Sequence, residues 1–335
     1  PLTGAILSLD ILPVKAHQKK GVPVPAHQHY NVTYGIIADQ KETLRIQPDE
    51  NTAVQWIPVE QLPEICKEPH MLPVYEKVIH RMRCWKAMQE QALLQTAQPL
   101  LAWYPLHARD LPWRHTQEPY RIWLSEIMLQ QTRVEAVKNY YARFLETFPD
   151  IAALAAAEQD QVNKCWEGLG YYSRAANLRK AAQMIQEQYG GVFPRTWEEV
   201  RGLAGVGDYT AGAVCSICYG LPTPAVDGNV LRVAARVMNH FCEIDRPEQK
   251  AAVTALLRQV YLDNPEHCGT LTQAFMEIGA TVCVPNGQPH CEACPLSELC
   301  LGRQYCDALR LPQRTAKKAR RQEQYTVFVL QCDGK

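Results

Sequence analysis

The sequence has no excess of charge of either sign, because 35 lysines and arginines balance 35 aspartates and glutamates. Nucleic-acid-binding proteins are normally basic overall, so any such contact here would depend on local basic patches and helix N-termini. The sequence also has no run of about 18 apolar residues, the length that a membrane-spanning helix needs. It has no fixed repeat period, which excludes collagen, coiled-coil and solenoid architectures.

What is present indicates a large folded core. Hydrophobic residues make up 47% and charged residues 21% of the 335 positions, which is typical of globular proteins. A chain longer than about 300 residues usually has more than one domain. The charge is divided unevenly, since residues 91–305 carry 18 basic and 22 acidic side chains and residues 306–335 carry seven and three. The chain begins at Pro1 and ends inside an apolar run, so we expect a fragment of a longer protein.

Thirteen cysteines are present, and four of them lie within eighteen residues. A disulfide framework is expected in short secreted chains, so this long chain is predicted to keep reduced thiols and one metal centre. The spacing Cys283-x7-Cys291-x2-Cys294-x5-Cys300 suits four thiolates around a zinc ion or a [4Fe–4S] cluster. A single CxxC pair with two longer arms favours the cluster, and unrelated free thiols are the alternative.

Residues 1–64 are predicted to form strands, and residues 91–305 to be almost wholly helical. Short β-branched runs at 5–12, 31–37 and 56–59 indicate strands, and a helix is predicted over about 71–91. Cys215 and Cys218 lie in an apolar helical run and are predicted to be buried rather than redox-active. Apolar residues recur at helical spacing over 93–104, 120–131, 134–148, 162–167, 175–189, 212–219, 230–241, 250–261 and 271–282.

A turn with two glycines separates two of these helical runs. Gly205, Val206 and Gly207 lie at its centre, and a helix is predicted to begin immediately after them. This pattern is typical of a helix–hairpin–helix motif whose backbone N–H groups bind a phosphate. An ordinary helix–helix turn is the alternative.

Two carboxylates stand out by their surroundings. Glu126 lies among apolar residues, where an ionised carboxyl is costly, so its pKa should rise. Asp227 precedes a helix and could act simply as its N-cap, just as Glu126 could be an exposed helical residue. One protonated acid and one ionised stabiliser are what the cleavage of a glycosidic bond requires.

Three longer motifs resemble one protein family. LPWR at 111–114, WLSEIMLQQT at 123–132 and WEGLGYYSR at 166–174 are similar to the adenine DNA glycosylases, the MutY family, and the hairpin, VDGNV at 226–230 and the four cysteines follow in that family's order. The similarity covers about residues 95–325. This chain departs from the family in a first cysteine gap of seven residues instead of six, and in Ala204, where proline is frequent. The resemblance implies a mainly α, helix–hairpin–helix DNA glycosylase fold with a [4Fe–4S] cluster loop.

The resemblance also implies a reaction, namely removal of adenine mispaired with 8-oxoguanine or guanine from double-stranded DNA, after the base leaves the stack. It makes Glu126 the general acid at adenine N7 and Asp227 the stabiliser of an oxocarbenium-like sugar, with Tyr209 beside them. Gln131 and Tyr171 match residues that enter the duplex, although a plain helical glutamine and a core tyrosine are the alternatives. The other implied contacts with the base or the DNA are Trp113, Arg114, Leu129, Gln130, Thr132, Gly205, Val206, Gly207 and Gln273.

Two other functions are alternatives to the removal of adenine by a monofunctional glycosylase. An endonuclease III-like glycosylase with lyase activity needs a Schiff-base lysine in the hairpin, and this chain has Tyr209 there, so a monofunctional enzyme is predicted. Lys250 is too far along the chain to replace that lysine. The third hypothesis is a DNA-binding protein that holds a cluster and has no catalytic activity. The presence of both Glu126 and Asp227 argues against it.

The runs 25–34, 48–51 and 55–58 resemble the C-terminal half of a Nudix hydrolase, which implies an incomplete α+β Nudix-like domain before the helices. That family's catalytic box, G-x5-E-x7-R-E-x2-E-E-x-G, holds its divalent metal and does not occur in this sequence, so we expect no pyrophosphate hydrolysis. Either the box lay upstream of Pro1 or the segment is a remnant that supports folding. His27 and His29 are interpreted as surface histidines at a strand end rather than as a metal pair.

Four segments are predicted: the Nudix-like part at 1–90, the glycosylase domain at 91–305, a basic linker at 306–324, and the start of an 8-oxoguanine-recognition domain at 325–335. Without the rest of that last domain, we expect adenine opposite guanine to be cut nearly as well as adenine opposite 8-oxoguanine. Neutralising Lys317, Lys318, Arg320 and Arg321 would flatten the salt dependence of affinity if the linker binds DNA. A monomer that makes no contact with membranes is expected, in a prokaryote-like, nucleoid-associated cytoplasmic setting.

Overall fold

The computed structural model describes residues 7–19, 21–35, 43–46, 54–66 and 68–315. The basic residues of the predicted linker from Lys317 to Arg321, and the predicted start of a further domain at 325–335, lie outside this part of the chain. Within it, no helix is both long and apolar enough to cross a membrane.

Four short strands form two antiparallel pairs at the N-terminal end. Strand β1 (Ser8–Val14) pairs with β4 (His27–Thr33), and β2 (His17–Lys19) pairs with β3 (Val22–Val24) across a turn at Gly21. The strands predicted at 5–12 and 31–37 are therefore present, shifted by a few residues, with 5–6 and 36–37 outside the described residues. His27 and His29 lie at the start of β4, with ring centroids 4.7 Å apart.

The strand predicted at 56–59 is wrong. Residues 54–58 form no ladder, and Val59–Gln61 is a 3₁₀ turn that follows Pro58. Proline lacks the N–H that a ladder requires, and four apolar residues make a weak strand signal without a partner. The β2–β3 hairpin, in contrast, was not predicted, because its strands are only three residues long.

The helical part is formed by α1 (Leu62–Ile65), α2 (Leu72–Leu94), α3 (Ala97–His107), α4 (Pro119–Leu129), α5 (Val134–Thr147), α6 (Ile151–Ala156), α7 (Gln159–Trp166), α8 (Ser173–Tyr189), α9 (Trp197–Gly202), α10 (Asp208–Tyr219), α11 (Gly228–Val237), α12 (Pro247–Leu262), α13 (Cys268–Thr281) and α14 (Leu301–Gln304). The predicted mainly helical fold is confirmed. The predicted helices are all found, with ends displaced by up to four residues. Helices α1, α6, α9 and α14 were not predicted, because each has only four to six residues.

Helix α2 connects the strands to the helical core. Near its start Lys77 pairs with Asp10 of β1. Farther along, the Trp85 ring lies edge-on to Tyr305, with centroids 5.1 Å apart. The helix also packs against α12 and α11. A single helix of 23 residues thus contacts both parts and crosses the predicted boundary at residue 90.

The helical core has two clusters of buried side chains. The first is built around Trp123 and Trp166 and includes α4, α5, α8 and α10. The second is built around Phe275 and Tyr261 and includes α11, α12 and α13. Helix α13 packs against both α10 and α11. The two clusters therefore meet along α10, α11 and α13, and the candidate site lies at that junction.

Candidate active site

A cavity of about 240 Å³ opens where the two clusters meet. Both carboxylates singled out from the sequence line it, together with Tyr209 at the start of α10, directly after the hairpin. The residues of the predicted site that line this cavity are Trp113, Arg114, Glu126, Leu129, Thr132, Tyr209, Asp227 and Gln273. Side chains from five separate stretches of sequence thus converge on one space.

Glu126 is a buried acid. It lies in the middle of α4 and is only 5% exposed. Burial raises its pKa from the usual 4.5 to about 7, the negative charge of Asp227 acts in the same direction, and a hydrogen bond from Tyr209 acts against it. The predicted rise in the pKa of Glu126 is confirmed, and the alternative of an exposed helical glutamate is wrong.

Tyr209 links the hairpin to this acid. Its hydroxyl donates a hydrogen bond to Oε2 of Glu126 over 2.8 Å. Burial raises the pKa of Tyr209 well above its usual value, and the nearby Glu126 adds to the shift. The phenol therefore stays neutral and acts as a fixed donor to one oxygen of Glu126.

Asp227 is both a helix cap and a residue of the cavity wall. Its Oδ1 accepts hydrogen bonds from the backbone N–H groups of Asn229 at 2.9 Å and Val230 at 2.8 Å, so it is the N-cap of α11. Its Oδ2 accepts from the side chain of Asn229 at 2.7 Å. The capping function considered from the sequence is present, and it orients the carboxylate toward the cavity rather than excluding a chemical function.

A buried ion pair supports two arginines of the cavity wall, Arg109 and Arg114. Glu277 on α13 is fully buried and accepts two hydrogen bonds from the Arg109 guanidinium, at 2.8 and 2.9 Å, and one from Arg114. Burial acts to raise the pKa of Glu277, but the two guanidinium groups outweigh it and lower the pKa to about 2. Glu277 thereby fixes Arg114, and no local sequence pattern indicates the pair, because the two residues lie more than 160 positions apart.

Tyr104 holds two residues of the cavity at once. Its hydroxyl donates to Oε1 of Gln273 over 2.7 Å, and the Arg114 guanidinium lies 5.5 Å from its ring centroid. Because the amide oxygen of Gln273 is taken, its NH₂ group is the part available to the cavity. No local pattern indicates this contact, because Tyr104 occupies one of the apolar positions of α3.

Gln131 and Tyr171 lie outside the cavity. Both have a positive φ, 57° and 49°, and both are exposed, Tyr171 by 62%. Gln131 follows the end of α4 and is not helical, and Tyr171 precedes α8. The alternatives of a plain helical glutamine and a core tyrosine are therefore wrong, and each side chain stands on a tight turn at the surface.

The hairpin has the predicted form. Residues 203–207 connect α9 to α10, Gly205 has φ +73°, and Gly207 is the N-cap of α10. Two neighbours from the predicted site, Gln130 and Thr132, lie between α4 and α5, where the Gln130 amide is 3.5 Å from the Thr210 hydroxyl of α10. The start of α10 therefore presents backbone N–H groups at the surface near the mouth of the cavity.

The four clustered cysteines line a second cavity beyond the end of α13. Arg236 donates to Sγ of Cys283 over 3.2 Å, and Arg303 also lines the space. No three His, Cys, Asp or Glu side chains in the described ranges lie close enough together to bind one metal ion. A single zinc needs its ligands around one point, whereas a four-iron cluster takes one thiolate at each of four separate corners. The four cysteines supply the number of thiolates that either group requires.

The pair Cys215 and Cys218 is not a reactive centre. Burial raises the pKa of Cys215 to about 12 and also raises that of Cys218. Both are free thiols on α10, and Cys215 is fully buried. A thiol without thiolate character is inert. Cys215 is buried as predicted, whereas Cys218 is only partly buried.

Residues 124–259 match a protein family described as "HhH-GPD superfamily base excision DNA repair protein". The chain contains an HhH-GPD domain. Glu126, Tyr209, Asp227 and the hairpin all lie inside the matched residues. Trp113, Gln273 and the four cysteines lie outside them, on segments that pack directly against the HhH-GPD domain.

The similarity of this chain to known proteins extends beyond the HhH-GPD domain. The chain is 44% identical over 214 residues to an adenine DNA glycosylase of Homo sapiens, which covers 61% of this chain and 39% of that protein. It is 38% identical over 231 residues to the adenine DNA glycosylase of Schizosaccharomyces pombe, covering 63% of this chain and 50% of that protein. The chain thus spans half or less of the length of these relatives.

The HhH-GPD fold is also recognisable in solved structures. A thermostable thymine-DNA glycosylase matches with a TM-score of 0.57 and 27% identity, over 65% of this chain and 98% of that chain. The predicted helix–hairpin–helix glycosylase fold is confirmed by this match together with the matching family.

Proposed function

We propose that this chain is a monofunctional adenine DNA glycosylase that hydrolyses the N-glycosidic bond of adenine mispaired with 8-oxoguanine or guanine in double-stranded DNA. The observation that carries the proposal is Glu126, a buried carboxyl with a pKa of about 7, which shares a cavity with Asp227. The similarity to adenine DNA glycosylases supports the choice of base.

Glu126 acts as the general acid. Around neutral pH a carboxyl of this pKa still carries its proton in a large fraction of molecules. Tyr209 occupies Oε2, which leaves Oε1 to carry the proton to N7 of adenine. As the bond from the sugar to the base breaks, its electron pair moves into the protonated base, which leaves neutral.

Asp227 acts on the sugar. Loss of the base leaves positive charge on the deoxyribose ring, and a carboxylate beside it stabilises that charge until water adds. Three N–H donors hold the Asp227 carboxylate in one orientation, so little reorganisation is required during the reaction. The buried Glu126 acid and the fixed Asp227 side chain are thus placed for the two roles that the chemistry requires.

The cavity lining supports a monofunctional reaction. Among the described residues it contains no lysine, and Lys250 lines a neighbouring cavity instead. A lyase step needs an amine that forms a Schiff base with the sugar. We therefore propose that strand cleavage requires added alkali.

The four cysteines are proposed to hold a [4Fe–4S] cluster, which would order the loop between Cys283 and Cys300 and the surface beside it. No step of bond cleavage is assigned to it. The remaining predictions are kept as proposals: the four segments divided at residues 90, 305 and 324, a monomeric state, and a place in the cytoplasm beside the nucleoid.

Single-turnover cleavage of a duplex with one adenine opposite 8-oxoguanine tests the proposal, with and without an alkali step and beside a Glu126→Gln variant. Strand breaks only after alkali, and lost in the variant, are the expected result. Breaks without alkali would contradict the monofunctional assignment. No breaks from iron-loaded protein that still binds the duplex would contradict glycosylase activity and favour a DNA-binding fragment.

A further inference from the structure

Arg174 occupies an unusual position between two surface turns. It lies in the first turn of α8, and its guanidinium is turned back toward the end of α4. Nη1 donates to the carbonyl oxygens of Ile127 at 2.9 Å and Gln130 at 2.7 Å. Nη2 donates to the carbonyl oxygens of Leu169 at 3.0 Å and Gly170 at 3.3 Å. One planar group thus bonds to the backbone of both turns.

The two turns carry Gln131 and Tyr171, the two exposed non-glycine residues of the predicted site that have a positive φ. The carbonyl of Gln130 belongs to the peptide unit that directly precedes Gln131, and the carbonyl of Gly170 to the one that precedes Tyr171. A left-handed conformation is sterically unfavourable for a residue other than glycine, and it persists only where the surroundings fix it. Both side chains are exposed, so core packing does not fix them.

Arg174 is itself firmly held. Its guanidinium carbon lies 5.3 Å from the ring centroid of Trp166, which is fully buried, and 5.6 Å from that of Tyr171. Its fork also spans both turns: Nη1 bonds only to carbonyl oxygens at the end of α4, whereas Nη2 bonds to Leu169 and Gly170 and also lies 3.4 Å from Oγ1 of Thr132. A lysine ammonium is a single point charge and cannot bridge the two turns in this way.

We infer that Arg174 is a positioning residue that sets the Gln131 and Tyr171 turns as one unit, so that both side chains meet a DNA duplex in a fixed relative placement. This inference rests on the proposed function, because the placement matters for cleavage only if the chain acts on a duplex. Arg174 itself touches neither the base nor the cavity.

The first test measures backbone hydrogen exchange in the free protein for Arg174→Lys beside a matched control, Arg179→Lys. Arg179 lies on the same helix and donates to the carbonyl of Ala157, in a different loop. We expect Arg174→Lys to raise exchange by about tenfold or more in both turns together, which corresponds to about 1.4 kcal/mol, and the control to leave both unchanged. A rise in one turn only, or in neither, would overturn the inference.

The second test is a mutant cycle on single-turnover adenine release. Arg174→Lys should slow release about tenfold in the parent but less than about twofold in a Gln131→Ala/Tyr171→Ala background, because its effect passes through those two residues. Equal slowing in both backgrounds, at unchanged thermal stability, would contradict the inference. If the parent releases no adenine, the proposed function fails, and the exchange measurement still decides the positioning role.

Discussion

At the scale of single residues, the protonation state of Glu126 controls the proposed chemistry. Its pKa of about 7 means that the acid form is present below that pH and is lost above it. The single-turnover rate should therefore fall about tenfold per pH unit above pH 7, and Glu126→Gln should lower it by at least about a hundredfold. Glu146→Gln, at an exposed position of α5, is the control and should leave both the rate and the profile unchanged. A profile that stays flat through pH 8 would contradict the assignment.

The same pKa predicts how stability depends on pH. The folded-state pKa of Glu126 is raised from 4.5 to about 7, so between these values the folded protein binds more protons than the unfolded chain. The contribution of Glu126 to the free energy of unfolding is therefore present below pH 4.5 and falls as pH rises toward 7. Glu126→Gln should change stability little near pH 5 and raise it at pH 8 by up to about 3 kcal/mol. Urea unfolding at both pH values checks the sign, and a loss of stability at pH 8 would contradict it.

The capping function of Asp227 and its proposed chemical function can be separated by one substitution. Asparagine is as good an N-cap as aspartate, so Asp227→Asn should change the free energy of unfolding by less than about 1 kcal/mol while slowing base release by at least about a hundredfold. Asp150→Asn changes the N-cap of α6, which bonds the N–H of Ala153, and should leave the rate unaltered. If Asp227→Asn cuts at the parental rate, the carboxylate is only a cap.

At the scale of elements, the local sequence pattern predicts most of the helices and turns, because these depend on neighbouring residues. The observed ends of the amphipathic helices lie within a few residues of the predicted ends, and the glycine pair of the hairpin marks the turn before α10. Helix α9 could also have been found, since Thr196 and Glu199 form a capping box before it. The segment 56–59 failed because a strand depends on a partner that no local pattern supplies.

Long-range pairing explains what sequence reasoning missed in the site. Glu277 lies on α13 at an ordinary helical position, and only the folded chain brings Arg109 and Arg114 to it. Arg174 was part of a recognised motif, yet its bonds to the end of α4 join positions more than 40 apart. Such polar contacts across elements leave no periodic signal along the chain.

The hairpin provides the prediction at this scale. Gly205 has φ +73°, and a Cβ there would lie 2.6 Å from Cβ of Asn177, whereas a Cβ at Gly207 would meet nothing within 4 Å. Gly205→Ala should therefore lower the free energy of unfolding by about 2 kcal/mol or more, and Gly207→Ala by less than about 1 kcal/mol. Equal losses in urea unfolding would show that the close approach to Asn177 is not what requires glycine.

At the scale of the whole molecule, the site is formed where the two clusters of buried side chains meet. The acid and the hairpin belong to the Trp123 cluster, whereas α11 and α13 bring Asp227 and Gln273 from the Phe275 cluster. The cysteine cavity lies on the second cluster, where Arg236 of α11 bonds Cys283. Loss of the cysteine loop should therefore act on the site through α11, the helix that Asp227 caps.

This arrangement predicts what removal of one cysteine ligand does. Cys291→Ser should lower bound iron from about four atoms per chain and lower the thermal stability, because binding of the cluster contributes to folding. Cys306→Ser changes an exposed cysteine that does not line the cavity and is the matched control, with iron and stability unchanged. Iron and sulfide analysis of anaerobically purified protein, followed by thermal unfolding, makes the measurement. If both variants keep the parental iron content, or if the parent binds zinc in place of iron, the cysteine cavity does not hold a [4Fe–4S] cluster.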